Sequence, residues 1–176
     1  MAFYAAALII FSLYFLVVFV GFKFLAPYFI QRDFVLPKPL PEFIQAAVFD
    51  LESAAKDQRA YLEAAYSLVM DKNERQWKHT RFQAAFNLPR LFVKDLEELW
   101  STKDFIYCTG INYILFVLLA SSKFFKPGDV RVKNVFLNFV LHQYLEVRVG
   151  EAWVDVDPAG AGIRGRPLGK HAEWFG

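Results

Sequence analysis

The 176-residue chain is long enough for about one domain, and its 56% hydrophobic and 18% aromatic content excludes a disordered, collagenous or coiled-coil protein. Its 20 Lys and Arg nearly balance 18 Asp and Glu, and this net charge of +2 argues against a dedicated nucleic-acid-binding protein. One Cys excludes an intrachain disulfide, and the three His are too scattered in sequence to form a Cys- and His-based metal centre with it.

The N-terminal residues 1–30 are predicted to form a membrane anchor. No charged side chain precedes Lys23, and the apolar run Phe3–Phe22 could cover a hydrocarbon core of ~30 Å at ~1.5 Å per residue. A cleaved signal peptide is disfavoured because no Lys or Arg precedes the apolar run. Basic residues follow it, including Arg32 and Lys38, so the positive-inside rule places the rest of the chain on the cytoplasmic side. The prediction is therefore a single-pass membrane protein.

Residues 31–41 predict a short extended linker, because three prolines stand there at alternate positions. The domain itself is predicted over residues 42–160, and its first half is helical. Apolar residues recur there at helical spacing over the stretches Phe43–Ala55, Gln58–Met70, Gln76–Phe86 and Leu91–Trp100. A connection is predicted at Asp71–Glu74.

The second half of the domain predicts one buried helix and a small antiparallel sheet, which makes the fold class α+β. The apolar run Ile111–Ala120 has 10 residues, too few to cross a bilayer, and is therefore interpreted as a buried helix. After a loop at Lys123–Asp129, strands rich in Val, Phe and Leu are predicted at Val130–Asn138, Phe139–Val149 and Ala152–Asp157. Residues 161–176 form a Gly-rich, basic tail with little helix or strand pattern.

The last two strands are predicted to form a tight hairpin through Gly150 and Glu151. Glycine at the first central position is typical of a two-residue type II′ turn. This turn pairs Tyr144 with Asp157 and separates an apolar face of the hairpin from a polar one. His142 and Asp157 then share the polar face as diagonal neighbours, ~7–8 Å apart at the backbone, within reach of an imidazole and a carboxylate.

Cys108 lies at the predicted start of the buried helix. The partial positive charge of a helix N-terminus favours a thiolate over a thiol. A thiolate, the His142 imidazole and a carboxylate such as Asp157 that orients the imidazole together form a nucleophilic triad. Each residue alone could be structural, so the prediction rests on their combination. His79 and His171 stand alone and are interpreted as surface residues, although His171 could approach the site from the tail.

The segments that carry these residues resemble the core of the transglutaminase-like family. They read Cys-Thr-Gly-Ile-Asn-Tyr from Cys108, and His-Gln-Tyr-Leu-Glu-Val-Arg-Val-Gly-Glu-Ala-Trp-Val-Asp-Val-Asp-Pro from His142 to Pro158. In that family a Cys starts a helix packed on an antiparallel sheet, the His lies on one strand and the Asp closes the next strand. The resemblance, which covers about Leu91–Ala159, therefore implies an α+β fold related to papain-like cysteine proteases.

The resemblance also implies acyl transfer or hydrolysis at an amide of a protein or peptide, without a metal or cofactor. It implies that Cys108 is the nucleophile, His142 the acid and base, and Asp157 the orienting carboxylate. The Cys108 backbone N–H would bind the oxyanion, with Asn112 and Trp100 as candidates for a side-chain donor. A second hypothesis stays open: a catalytically inactive module of the same type that binds a peptide or serves as a structural subunit of a membrane complex.

Overall fold

The computed structural model describes residues 2–20, 34–73, 93, 95–102, 106–137, 140–159 and 165–173. Within these ranges the chain forms five helices and one three-stranded antiparallel sheet, which is the α+β class predicted from the sequence. The helices are α1 (Ala2–Val20), α2 (Glu42–Ala54), α3 (Gln58–Asn73), α4 (Leu96–Ser101) and α5 (Cys108–Ala120). A 3₁₀ turn at Pro127–Asp129 leads into the strands β1 (Val130–Leu137), β2 (Val140–Val149) and β3 (Ala152–Val156).

The predicted membrane anchor is wrong. Among the residues that the structure describes, no helix is both long enough and apolar enough to cross a membrane. The described part of the apolar run does form a helix, α1. The transmembrane helix predicted within residues 1–30 and the single-pass membrane localisation based on it are therefore not supported.

Helices α2 and α3 follow the periodicity of the sequence. Helix α2 begins directly after Pro41, and its buried face consists of Ile44, Val48 and Leu51. Helix α3 continues through Asn73, so the predicted connection after Met70 is helical where it is described. Its last turn carries a Lys, whose positive charge is favourable beside the carbonyl end of a helix.

Helix α4 is shorter than the predicted helix Leu91–Trp100. It begins at Leu96 because the Asp95 side chain accepts a hydrogen bond of 2.8 Å from the Glu98 N–H and caps the first turn. The other predicted helix of this region, Gln76–Phe86, lies outside the described residues.

Helix α5 forms the centre of the hydrophobic core. Every residue of the predicted run Ile111–Ala120 except Tyr113 is buried. The Tyr61 hydroxyl of α3 donates a hydrogen bond of 2.9 Å to the Leu118 carbonyl, which fixes α3 against α5. Cys108, in the first turn of α5, packs against the same core.

Gly110 allows α5 to approach α4 closely near its start. A Cβ atom on Gly110 would lie 2.5 Å from Ile106 Cγ2 and 2.8 Å from Leu99 Cδ2. We expect Gly110→Ala to lower the free energy of unfolding by up to about 2 kcal/mol, because the gain in helix propensity of about 1 kcal/mol offsets only part of an overpacking cost of about 1–3 kcal/mol. Urea unfolding measures this change.

The matched control for this substitution is Gly128→Ala. A Cβ atom on Gly128 would meet nothing within 4 Å, so the free energy of unfolding of this variant should not fall below that of the wild-type protein. Equal stability of Gly110→Ala and Gly128→Ala would contradict the close approach of α4 and α5.

The sheet has the strand order β1-β2-β3, and the predicted hairpin register between β2 and β3 is confirmed. Gly150 adopts a φ of 61°, in the left-handed region that the turn requires. The ladder pairs Val149 with Ala152 at the turn and Leu145 with Val156 at the far end. Asp157 therefore lies one residue beyond the last ladder pair. The side chains of the apolar face, Leu145, Val147 and Val156, are fully buried in the core around α5.

Candidate active site

Cys108 is the first residue of α5 and carries a free thiol that is partly exposed. The preceding residue, Tyr107, is extended, with φ −68° and ψ 159°, so the chain enters the helix abruptly. The hydrogen bond of 3.1 Å from the Ile111 N–H to the Tyr107 carbonyl opens the helical ladder, so the N–H of Cys108 has no acceptor within the helix. The sulfur and a backbone donor that could bind an oxyanion thus belong to the same residue.

His142 and Asp157 lie on one face of the hairpin and are hydrogen-bonded to each other. His142 Nε2 is 2.8 Å from Asp157 Oδ2. The His142 residue is 4% exposed and Asp157 is fully buried. The sequence correctly places both residues on one face of the hairpin. Strand alternation alone suggests that this face is exposed to solvent, but in the structure both residues are buried. A buried pair of this kind is held in a single geometry.

The His142 imidazole is held in its charged form by its two neighbours. Burial by itself lowers the pKa of His142, because desolvation penalises the imidazolium. Hydrogen bonds with the Asp157 and Cys108 side chains, together with the negative charges of both groups, outweigh burial and raise the pKa to about 10. Because Nε2 pairs with Asp157, Nδ1 is the ring nitrogen that remains for the sulfur. The imidazole thus lies between a carboxylate and a thiol, which are the groups that a nucleophilic cysteine triad combines.

The Asp157 carboxylate is fixed by backbone donors as well as by His142. Its Oδ1 accepts a hydrogen bond of 3.2 Å from the Ala159 N–H, and its Oδ2 accepts one of 2.9 Å from the Ala172 N–H. Hydrogen bonds to a carboxylate favour its ionised form. Ala172 belongs to the tail, in which the sequence pattern indicates neither helix nor strand. Sequence reasoning therefore missed this contact, and no local motif could have revealed it.

Asn112 joins the helix of Cys108 to the strand of His142. It lies one turn after Cys108, is fully buried, and its Nδ2 donates a hydrogen bond of 2.6 Å to the Gln143 carbonyl of β2. Because Gln143 directly follows His142, this bond sets the distance between the nucleophile and the imidazole. The Asn112 amide thus connects two elements, and its role as an oxyanion donor stays a prediction.

Trp100, the other candidate for a side-chain oxyanion donor, contacts residues of α2 and α3. Its ring centroid is 5.5 Å from that of Phe43, and Lys72 Nζ lies 4.1 Å above the ring. These contacts concern the faces of the ring, so the role of the Trp100 indole N–H as an oxyanion donor stays a prediction.

His171 contacts the hairpin instead of standing alone at the surface. Its Nδ1 is 2.8 Å from Asp155 Oδ2, and its ring stacks on Tyr144 with 4.3 Å between centroids and 5° between planes. The structure thus brings His171 close to the candidate triad. His79 lies outside the described residues.

The described residues contain no group of three or more His, Cys, Asp or Glu side chains that could hold a metal ion. Comparisons with protein-family models, with curated proteins and with solved structures found no match to the chain. The resemblance to the transglutaminase-like family therefore rests on the sequence motifs of this chain alone.

Proposed function

We propose that this chain is a cysteine-dependent enzyme of transglutaminase-like type that catalyses acyl transfer or hydrolysis at an amide of a protein or peptide. The proposal depends on one observation. The side chain of Cys108, at a helix start, contacts the His142 imidazolium, which in turn pairs with the buried Asp157 carboxylate. Nucleophile, base and orienting group are the three parts that thiol-dependent amide chemistry requires.

In the first half of the reaction the Cys108 thiolate attacks the carbonyl carbon of the amide. The carbonyl oxygen becomes an oxyanion, which the Cys108 N–H stabilises at the start of α5. The His142 imidazolium gives its proton to the leaving amine, the C–N bond breaks, and a thioester of Cys108 remains. The raised pKa of His142, about 10, means that this proton is present at neutral pH.

In the second half, neutral His142 accepts a proton from the incoming water or primary amine. The deprotonated nucleophile attacks the thioester, the C–S bond breaks, and the thiolate–imidazolium pair is restored. Water gives hydrolysis and an amine gives a new amide, so both acceptors belong in an assay. In each half, Asp157 stabilises the charged imidazole and keeps its Nδ1 directed at the sulfur.

Alkylation by iodoacetamide at about pH 6 tests the activation of Cys108 without knowledge of the substrate. An ordinary thiol with a pKa of about 8.5 is almost entirely protonated at this pH and reacts slowly. We expect Cys108 to be alkylated at least tenfold faster than a cysteine in a short peptide, because the imidazolium and the helix start stabilise the thiolate. Mass spectrometry of the protein, which has a single Cys, measures the rate.

His142→Gln provides the control, since glutamine retains a polar side chain but supplies no positive charge. Its alkylation rate at pH 6 should fall to that of the peptide cysteine, whereas the two proteins should react alike at pH 9, where an ordinary thiol is ionised. If the wild-type protein also reacts like the peptide at pH 6, Cys108 is not activated, and the inactive peptide-binding module becomes the better description.

A further inference from the structure

The C-terminal segment formed by residues 165–173 packs against β3 and reaches the candidate site. We propose that this segment is a positioning element, fastened by His171, whose Ala172 N–H holds the Asp157 carboxylate in the orientation that His142 requires. The inference rests on the proposed function for its catalytic meaning, but the contacts on which it depends are independent of any substrate.

Backbone hydrogen bonds tie the segment to the end of β3. The Arg166 N–H donates to the Asp157 carbonyl at 2.9 Å, and the Gly169 N–H donates to the Asp155 carbonyl at 2.8 Å. The Ala172 N–H donates to Asp157 Oδ2 at 2.9 Å. These donors recur at every third residue, and a parallel bridge between Val156 and Lys170 lies among them. The segment thus follows the outer edge of β3 and ends on the carboxylate.

The His171 side chain fastens the segment next to its contact with Asp157. Its Nδ1 pairs with Asp155 Oδ2 at 2.8 Å, and its ring lies flat against Tyr144 at 4.3 Å. Asp155 and Tyr144 stand on the same face of the hairpin as the candidate triad, so His171 occupies the surface beside it. Because Ala172 directly follows His171, the fixed ring also fixes the direction of the Ala172 N–H.

The other end of the segment is held by α3, about one hundred residues earlier in the chain. The Tyr66 hydroxyl donates a hydrogen bond of 2.7 Å to the Arg166 carbonyl. Gly165 packs so closely on α3 that a Cβ atom would lie 2.5 Å from both the Tyr66 hydroxyl oxygen and Met70 Sδ. The segment is therefore anchored at two places before its contact with Asp157, on α3 and on the hairpin.

Two consequences for the candidate site follow from this packing. Asp157 Oδ2 accepts hydrogen bonds from both His142 Nε2 and the Ala172 N–H, so the segment restricts rotation of the carboxylate toward other partners. Ala172 is only 1% exposed and excludes water from the carboxylate. In a drier environment the attraction between Asp157 and the imidazolium is stronger. Without the segment, water would compete for Oδ2 and the imidazole would lose its fixed partner.

Two substitutions loosen the contact in different ways. Ala172→Pro removes the N–H that reaches Asp157, and its matched control Ala172→Gly keeps that N–H. His171→Ala removes the ion pair and the stacked ring, and its control Glu173→Ala changes an exposed neighbour on the same segment. The measurement is an NMR titration of the His142 imidazole in protein labelled at its three histidines. His→Gln variants assign each histidine signal.

We expect the His142 titration midpoint to fall from about 10 toward the ordinary value of 6.5 in Ala172→Pro and in His171→Ala, and to stay unchanged in both controls. A merely structural role of the segment would lower the unfolding midpoint of the variants without moving this titration. Should Ala172→Pro not fold, Tyr66→Phe replaces it, because it releases the Arg166 carbonyl from α3 and leaves the Ala172 N–H in place.

An unchanged His142 titration in the folded variants would overturn the proposal. The titration tests the positioning role of the segment independently of the proposed enzymatic function, because it requires no turnover. If the titration shifts as expected while the wild-type protein shows no activated thiol, the positioning role of the segment stands and the enzymatic function fails.

Discussion

Replacing Cys108 with alanine should abolish amide turnover, with a loss of at least about 10⁴-fold in kcat/KM. The side chain supplies the only thiol in the chain, and the thioester intermediate cannot form without it. Cys108→Ser keeps nearly the same shape but presents a hydroxyl that His142 must first deprotonate, so it should lose nearly as much. Release of product from a panel of peptide amides and glutamine side-chain amides, with water or a primary amine as acceptor, measures the effect.

The fold should survive both substitutions, since the partly exposed Cys108 contributes little buried apolar surface. Urea unfolding provides this control, with a shift of no more than about 1 kcal/mol expected. His142→Gln should also remove turnover. Its stability should fall further, because the buried Asp157 carboxylate then loses its charged partner. Full activity of Cys108→Ala would remove the basis of the proposed mechanism.

Replacing Asp157 with asparagine should slow turnover on the order of a thousandfold or more, as expected when the orienting carboxylate of a catalytic triad becomes an amide. The amide cannot stabilise an imidazolium as a carboxylate does, so only Cys108 then opposes the burial that lowers the pKa of His142. The charged imidazole becomes less favourable, which weakens both the counter-charge of Cys108 and the proton donor of the leaving amine. Steady-state kinetics on the substrates turned over by the wild-type protein measure the loss.

The same substitution predicts a pH dependence of stability with a defined sign. In the wild-type protein the pKa of His142 is raised from 6.5 to about 10 by folding. The stabilisation that this provides is fully present below pH 6.5 and is lost as the pH rises through about 10. The difference in unfolding free energy between the wild-type protein and Asp157→Asn should therefore shrink between pH 7 and pH 10. A constant difference would show that His142 and Asp157 do not form a charged pair.

Short-range patterns in the sequence were sufficient to predict the arrangement of the hairpin. Gly150 permits the positive φ of the turn, and the alternation of side chains along β2 and β3 then places His142 and Asp157 on the same face. The register followed because a shift by one residue would move Val147 and its apolar neighbours out of the core. The apolar run that ends at Ala120 similarly predicted a buried helix, with Cys108 near its start.

Length and apolarity alone were insufficient at the N-terminus. The absence of charge before Lys23 predicted a membrane-spanning helix, and the described residues contain none that meets the requirement.

Local sequence patterns were enough to predict the candidate reactive residues and the elements on which they lie, because helix starts, turns and strand alternation depend on neighbours a few residues apart. The way in which these elements meet could be read only from the folded chain. The bond from Asn112 to β2, the burial of His142 with Asp157 and the contact from Ala172 to the same carboxylate all join distant parts of the chain. Such contacts arise from the packing of whole elements around one core, and the residues beside each partner in the sequence carry no signal of it.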